Sequence, residues 1–283
     1  MSFVVLSGDW EITLSHDARP SSTQGATITP GNNTPGSWTQ IMGPTSTASH
    51  VIEIIVGGIG VSASATDSLT DIGIDPAGGT SYTTMIPSLL SSYAVGVNSN
   101  NAGFGCSWLF PVYIPAGATI AARGSINNAT VGTQQVYCKL YRALDPSRVR
   151  TGTGVIAYGA TAASSTGTAV TFGTAAVGSY TQLGSAVSAL APWHWLVSSA
   201  RASTTTVNAS TYVADLAIGD ASNKRVIVAR QESATNSNEQ RGAVHRGFNG
   251  QSAVGDLVYV RGWAGDAATT YTAIAYGVYG DAY

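Results

Sequence analysis

Charge is what this sequence has least of. Only 10% of its 283 residues are Asp, Glu, Lys or Arg, against roughly 25% in an average globular protein. Lys139 and Lys224 are its two lysines. A soluble monomer normally covers itself with Lys and Glu; here Ser, Thr, Asn, Gly and Ala stand in their place. Hydrophobic residues still make up 44% of the chain, which excludes the low-hydrophobicity, high-charge balance of a disordered protein. The composition fits a surface partly covered by other subunits, where charged side chains would have to be desolvated. A net charge of -2 supplies no basic field for nucleic acid and no polybasic patch for a membrane.

Long apolar runs are missing too, and none approaches the ~20 residues that span a bilayer. The start, Met1-Ser2-Phe3-Val4-Val5-Leu6-Ser7-Gly8-Asp9, has no basic region and is interrupted too soon for a signal peptide. The expectation is synthesis in a cytoplasm, with thiols reduced. The two cysteines, Cys106 and Cys138, lie in separate strand-like runs. A disulfide between them after release from a cell stays open, since sequence does not supply the Cα geometry a bridge requires.

Catalytic and metal motifs are equally scarce. His16, His50, His194 and His245 form no H-x-H or H-x-x-x-H pair, and there is no C-x-x-C. No G-x-S-x-G elbow, P-loop or dinucleotide-binding glycine pattern occurs. Asp67, Asp71 and Asp75 invite a calcium hypothesis, but their spacing is not that of an EF-hand, and Asp75-Pro76-Ala77-Gly78-Gly79 reads as a tight turn. Glu11, Glu53, Glu232 and Glu239 are the carboxylates available for glycosidase chemistry, and no larger acidic cleft is visible. The reading is a chain that is not an enzyme and holds no cofactor or metal.

What the chain does contain is an internal repeat. Ser37-Trp38-Thr39-Gln40-Ile41 recurs as Ser179-Tyr180-Thr181-Gln182-Leu183, an offset of 142 residues (38 to 180). At the same offset Gly25–Gly31 falls on Gly167–Gly173. Asp71-Ile72-Gly73-Ile74 matches Asp215-Leu216-Ala217-Ile218, and Ala116–Gly124 matches Val254–Gly262. The last match places Val136, Leu140 and Tyr141 on Ile274, Val278 and Tyr279. Anchors in one order with slowly drifting offsets mark a duplication.

Strand-like runs fill both copies, among them Val51–Val56, Phe110–Ile114, Gln135–Tyr141, Trp193–Val197, Tyr212–Ile218 and Arg225–Ala229. Helical signals are nearly absent, although Ile86-Pro87-Ser88-Leu89-Leu90 fits one turn. The predicted fold is all-β: two tandem β-sandwich domains of jelly-roll (Greek-key) type related by duplication. The expected division is an N-terminal arm at 1–20, a first sandwich at 21–144, a linker at 145–154 and a second sandwich at 155–283. Trp10, Ile12 and Leu14 alternate in the arm, which is expected to add a strand to its own sheet or to a neighbour's.

Two groups are candidate ligand or subunit contacts. Trp193 and Trp195 flank His194 at alternate positions of a strand, so both rings are expected on one side. Exposed, they would stack on a sugar; buried, they are core, the bland alternative their apolar counterparts in copy one favour. Arg225, Arg230, Arg241 and Arg246 lie in or beside a polar stretch without a close match in copy one. It reads either as a subunit contact or as a solvated loop.

Trp38–Ile41, Asp71–Ile74 followed by Ala77-Gly78-Gly79, Ile86–Leu90 and Phe110–Arg123 together resemble virion proteins of tailed bacteriophages. These are head fibres or decorations and tail-associated fibre or spike parts. The resemblance covers most of copy one; copy two lacks the Ile-Pro-Ser-Leu-Leu and Pro-Ala-Gly elements. It implies a virion location, no active-site residues to transfer, and partners that are further copies (a homotrimer) and major capsid or tail proteins. The alternative is a receptor-binding protein that recognises host-surface polysaccharide.

Overall fold

A computed structural model of the protein describes residues 10–14, 25–59, 66–93, 106–127, 132–174, 176–201, 210–236, 239–241, 244–245, 247–265 and 270–282. Its first half contains β1 (Trp10–Leu14), β2 (Ala26–Ile28), β3 (Gly31–Asn32), β4 (Thr39–Met42), β5 (Val51–Ile59), β6 (Thr66–Asp75), β7 (Thr83–Tyr93), β8 (Cys106–Phe110), β9 (Thr119–Ile126) and β10 (Gln134–Ala143). The second half contains β11 (Gly154–Tyr158), β12 (Ala160–Thr161), β13 (Thr166–Thr171), β14 (Thr181–Gln182), β15 (His194–Arg201), β16 (Ser210–Gly219) and β17 (Lys224–Asn236). It closes with β18 (Glu239–Arg241), β19 (Val244–His245), β20 (Phe248–Asn249), β21 (Leu257–Ala264) and β22 (Thr270–Tyr279).

Four sheets result. Sheet I runs β2-β10-β5-β8 and sheet II runs β4-β9-β6-β7; sheet III runs β13-β22-β15-β20 and sheet IV runs β14-β21-β16-β17. Numbered in chain order within each half, these strands stand first-eighth-third-sixth in one sheet and second-seventh-fourth-fifth in the other, in both halves. That is the strand order of an eight-stranded double Greek key, so each half is a jelly roll. β1 pairs with the C-terminal part of β10, and β11 pairs with the matching part of β22. The arm strand is therefore the counterpart of the strand that opens copy two.

The first core lies between sheets I and II, with Ile52, Ile54, Trp108, Phe110, Val136 and Leu140 on one side and Ile72, Ile120, Ala122 on the other. The second lies between sheets III and IV, where Trp195, Val197, Tyr271 and Ala275 meet Leu216, Val228, Val258 and Val260. Sheet III is covered on both faces. Along β22, Tyr271, Ala273 and Ala275 join the second core while Ile274, Tyr276 and Val278 join the first. The second sandwich thus lays the outer face of sheet III across the β7 and β8 side of the first, and Phe110 meets Tyr276 edge-on at 6.0 Å.

This corrects the last stretch of the sequence alignment. Val136 and Leu140 point into their own sandwich, whereas Ile274 and Val278 point out of theirs, so the matched strands are one residue out of register. A one-residue slip exchanges the faces of a strand. With both faces of β22 apolar, the hydrophobic pattern had no means of showing it.

Two further expectations change. Ile86–Leu90 is not a helical turn but a β-bulge inside β7: Thr70 faces Leu89 and Ile72 faces Ile86, so Pro87 and Ser88 oppose Asp71 alone. A bulge is where a strand tolerates proline. Cys106 and Cys138 are buried thiols and form no disulfide with each other. Cys106 pairs with Val56 and Cys138 with Ile54, placing β5 between them. Two strand spacings of about 9.5 Å, with a further two-residue offset along β5, put the Cα atoms well beyond the ~7 Å a disulfide spans.

Candidate functional site

The anchors that reveal the duplication form one cluster, built twice. In copy one Asp71 sits opposite Arg123 on the outer face of sheet II, and the Arg123 Nε donates to Asp71 Oδ2 at 3.0 Å. The guanidinium lies 4.3 Å from the centroid of Trp38. Asp71 Oδ1 accepts the backbone N–H of Ser88 at 2.9 Å, and Ser88 has a left-handed φ of 55°. In copy two Arg261 Nε donates to Asp215 at 3.2 Å and lies 4.4 Å from the Tyr180 ring. Asp215 accepts the N–H of Arg230 at 2.9 Å, and Arg230 has φ 54°. The carboxylate holds a bulge whose second residue takes a conformation that costs a non-glycine roughly 1–2 kcal/mol. The charges in Asp71–Ile74 and Asp215–Ile218 are in this respect structural.

The copies differ beside this cluster. Ser88 and Ser125 of copy one are replaced by Arg230 and Trp263 of copy two. Arg230, Trp263, Asp215, Arg261, Ala176 and Val177 line an open pocket of about 370 Å³ on the outer face of sheet IV. The Arg230 guanidinium stands 5.8 Å from the Trp263 ring centroid, within cation–π range.

The junction between the sandwiches is the other polar constellation. Tyr276 Oη donates to the carbonyl of Ser88 and accepts the N–H of Leu90, both at 2.8 Å. Ser198 Oγ donates to the Leu90 carbonyl at 3.1 Å, and Thr166 Oγ1 donates to Asp67 at 2.6 Å. Side chains of copy two thus satisfy the edge of β7 and the Asp67 carboxylate of β6. The edge of sheet I is capped by β19, which pairs parallel with β8 and stacks His245 on Trp108 at 5.2 Å. His245 Nδ1 donates to the Val197 carbonyl at 3.1 Å. Burial holds its pKa down to about 4, so the ring is neutral at pH 7. His194, which donates from Nδ1 to Asn249 Oδ1 at 2.9 Å, is likewise lowered to about 4 by burial.

The tryptophan candidates lie elsewhere than a ligand would need them. Trp193 is 4% exposed and Trp195 fully buried, and they do not share a side: Trp193 joins the first core and Trp195 the second. Their indole N–H groups donate to the carbonyls of Gly280 and Gly250. Arg150 covers Trp193 at 4.3 Å and pairs with Asp281 at 2.6 Å, tying the interdomain segment to the last strand. Arg225 and Arg230 are exposed, and Arg225 donates to the Gln251 carbonyl. Arg241 ends β18, opposite Ala234; Arg246 lies outside the described residues. Sequence reasoning missed Trp263, whose only signal was a tryptophan two residues after the matched Arg261.

The acidic candidates are dispersed. Asp67, Asp71 and Asp75 lie about 13 Å apart along β6, at ~3.3 Å per residue. They serve the junction, the bulge and a turn in which Asp75 accepts the N–H groups of Ala77 and Ser81. Among the described residues no three metal-ligating side chains group together. Glu53 accepts from Tyr141 and Lys139, while Glu11 pairs with Arg142. No helix of the described residues is long and apolar enough to cross a membrane.

No protein-family model matches the chain, and no curated protein matches it. Among solved structures it is similar to PNGase F, a glycosylasparaginase from Flavobacterium meningosepticum, at 8% identity, with 96% of each chain covered and a TM-score of 0.36. It is also similar to a chain of broad bean stain virus (10% identity, 92% of this chain and 91% of that one, TM-score 0.31). A third likeness is to Sulfolobus turreted icosahedral virus (9% identity, 93% and 91% covered, TM-score 0.29). TM-scores this low transfer neither chemistry nor assembly, and the jelly-roll assignment rests on the strand orders above.

Proposed function

We propose that this chain is a non-enzymatic structural protein on the surface of a tailed-phage particle, of the capsid-decoration or tail-fibre type, working as an oligomer of identical copies. The observation that carries the reading is the contrast between β1 and its counterpart β11. β11 is covered by the first sandwich, and Val155 is buried in the core it shares with that sandwich. β1 occupies the same place in the first jelly roll, yet Ile12 is 54% and Leu14 43% exposed. Among the described residues only β10 pairs with β1, and an apolar edge strand left open invites another chain. A second copy covers it in this reading, and threefold closure leaves no such edge outside the assembly. The scarcity of surface charge and the sequence resemblance of copy one point the same way.

The test uses particles of the phage that encodes the chain. Particles stripped of it are expected to rebind the purified full-length protein in stoichiometric amounts, at sites visible by gold labelling. Failure of the protein to rebind, or its absence from purified particles, would overturn the reading.

A further inference from the structure

We infer that the pocket on sheet IV binds a carboxylated sugar, a uronic or sialic acid unit, between Arg230 and Trp263. This inference is independent of the assembly reading. It starts from the arginines whose side chains are described. Arg123, Arg142, Arg150 and Arg261 each pair with a carboxylate, and Arg225 bonds a carbonyl. Arg230 is the exception: among the described residues its guanidinium meets no carboxylate or carbonyl, only the Trp263 ring at 5.8 Å. In a chain so poor in charge, a guanidinium that meets no anion among the described residues and lines a pocket calls for one.

The backbone adds a second observation. Arg230 keeps a left-handed φ of 54° where glycine would relieve the strain, and Asp215 anchors that conformation through the Arg230 N–H. Ser88 of copy one has the same φ, so the strain belongs to the bulge both copies share, and what is peculiar to copy two is the side chain that this bulge holds at the pocket. The duplication supplies a third. Copy one has the same bulge, the same carboxylate and the same paired arginine, so the fold requires neither a cation nor an indole here; Ser88 and Ser125 suffice. Arg230 and Trp263 are additions of copy two alone.

Their chemistry defines the ligand. A planar guanidinium fork matches a carboxylate in two hydrogen bonds. A half-buried indole beside it, with Ala176 and Val177 on the lip, suits the C–H face of a pyranose ring. A pocket of about 370 Å³ falls at the small-ligand end of the usual range and, being open, admits the end or an internal unit of a chain. Arg261 is committed to Asp215 and Tyr180, so Arg230 and Trp263 carry the recognition, and Asp215 is a positioning residue.

Calorimetric titration of the full chain with glucuronate and N-acetylneuraminate tests this, with glucose and acetate as the neutral-sugar and bare-carboxylate arms. Saturable binding of an acidic sugar, about ten-fold or more tighter than either control, is expected. Trp263→Ser and Arg230→Gly are each expected to weaken it by about ten-fold or more. Arg230→Gly also relieves the backbone, so it is expected to melt no lower than the parent, which separates lost binding from lost folding. Absence of saturable binding, equal binding of glucose or acetate, or undiminished binding by either variant would overturn the proposal.

Discussion

Tyr276 does with one hydroxyl what a neighbouring strand would do with two backbone groups. It donates to the carbonyl of Ser88 and accepts the N–H of Leu90, and burial pushes its own ionisation upward. Removing the oxygen leaves both groups buried without those bonds, at roughly 1–3 kcal/mol for an unsatisfied group. Tyr276→Phe is therefore expected to lower the urea midpoint by about 2 kcal/mol equivalent, whereas Tyr82→Phe, whose hydroxyl bonds exposed Gln40, is expected to change it little. Equal stability of Tyr276→Phe and parent would show that the junction does not depend on this bond. At this scale the sequence was legible where identity and spacing coincide. Trp38, Asp71 and Arg123 and their counterparts Tyr180, Asp215 and Arg261 could be matched from the letters alone. The reason for the match, a bulge with a left-handed Ser88 or Arg230, could not, because neither residue type signals a positive φ.

Among the elements, the two-residue strand β19 is the least expected. It crosses from the second half of the chain to pair with β8 of the first, and its His245 is buried between Trp108 and Val197. Burial lowers His245 and His194 from 6.5 to about 4. Between those values the unfolded chain binds protons that the folded chain does not. Stability contributed by the neutral rings is therefore full above about pH 6.5 and is lost as the pH falls toward 4, by on the order of 3 kcal/mol per ring. Denaturation at pH 7 and pH 4.5 is expected to show a smaller acid loss for His245→Gln than for the parent. Paired carboxylates such as Asp281, held down by Arg150, lose stability in the same direction, so the difference between the two proteins is the informative quantity. An unchanged acid loss in His245→Gln would remove His245 from the account. The strands themselves were mostly legible from β-branched runs and turn residues. The side-chain faces of β22 were not, because Ile274, Tyr276 and Val278 are as apolar as the residues that alternate with them.

For the whole molecule, the duplication and the jelly-roll class could be read from ordered anchors and strand spacing. The packing of the two halves could not. Sheet III of copy two covers the side of the first sandwich bounded by β7 and β8, using hydroxyls of Tyr276, Ser198 and Thr166 that nothing in the sequence marks as partners of Leu90 or Asp67. That junction also explains why Trp193 and Trp195 are core: the strand they precede and begin is buried on both faces. The same geometry leaves one inequality between the halves, the covered β11 against the open β1. Light scattering of the purified full-length chain, with and without Ile12→Lys and Leu14→Lys, tests the resulting claim most directly. The account predicts a trimer for the parent and a folded monomer for the double variant; a parent that stays monomeric at the highest soluble concentration, or a trimer indifferent to both lysines, would contradict it.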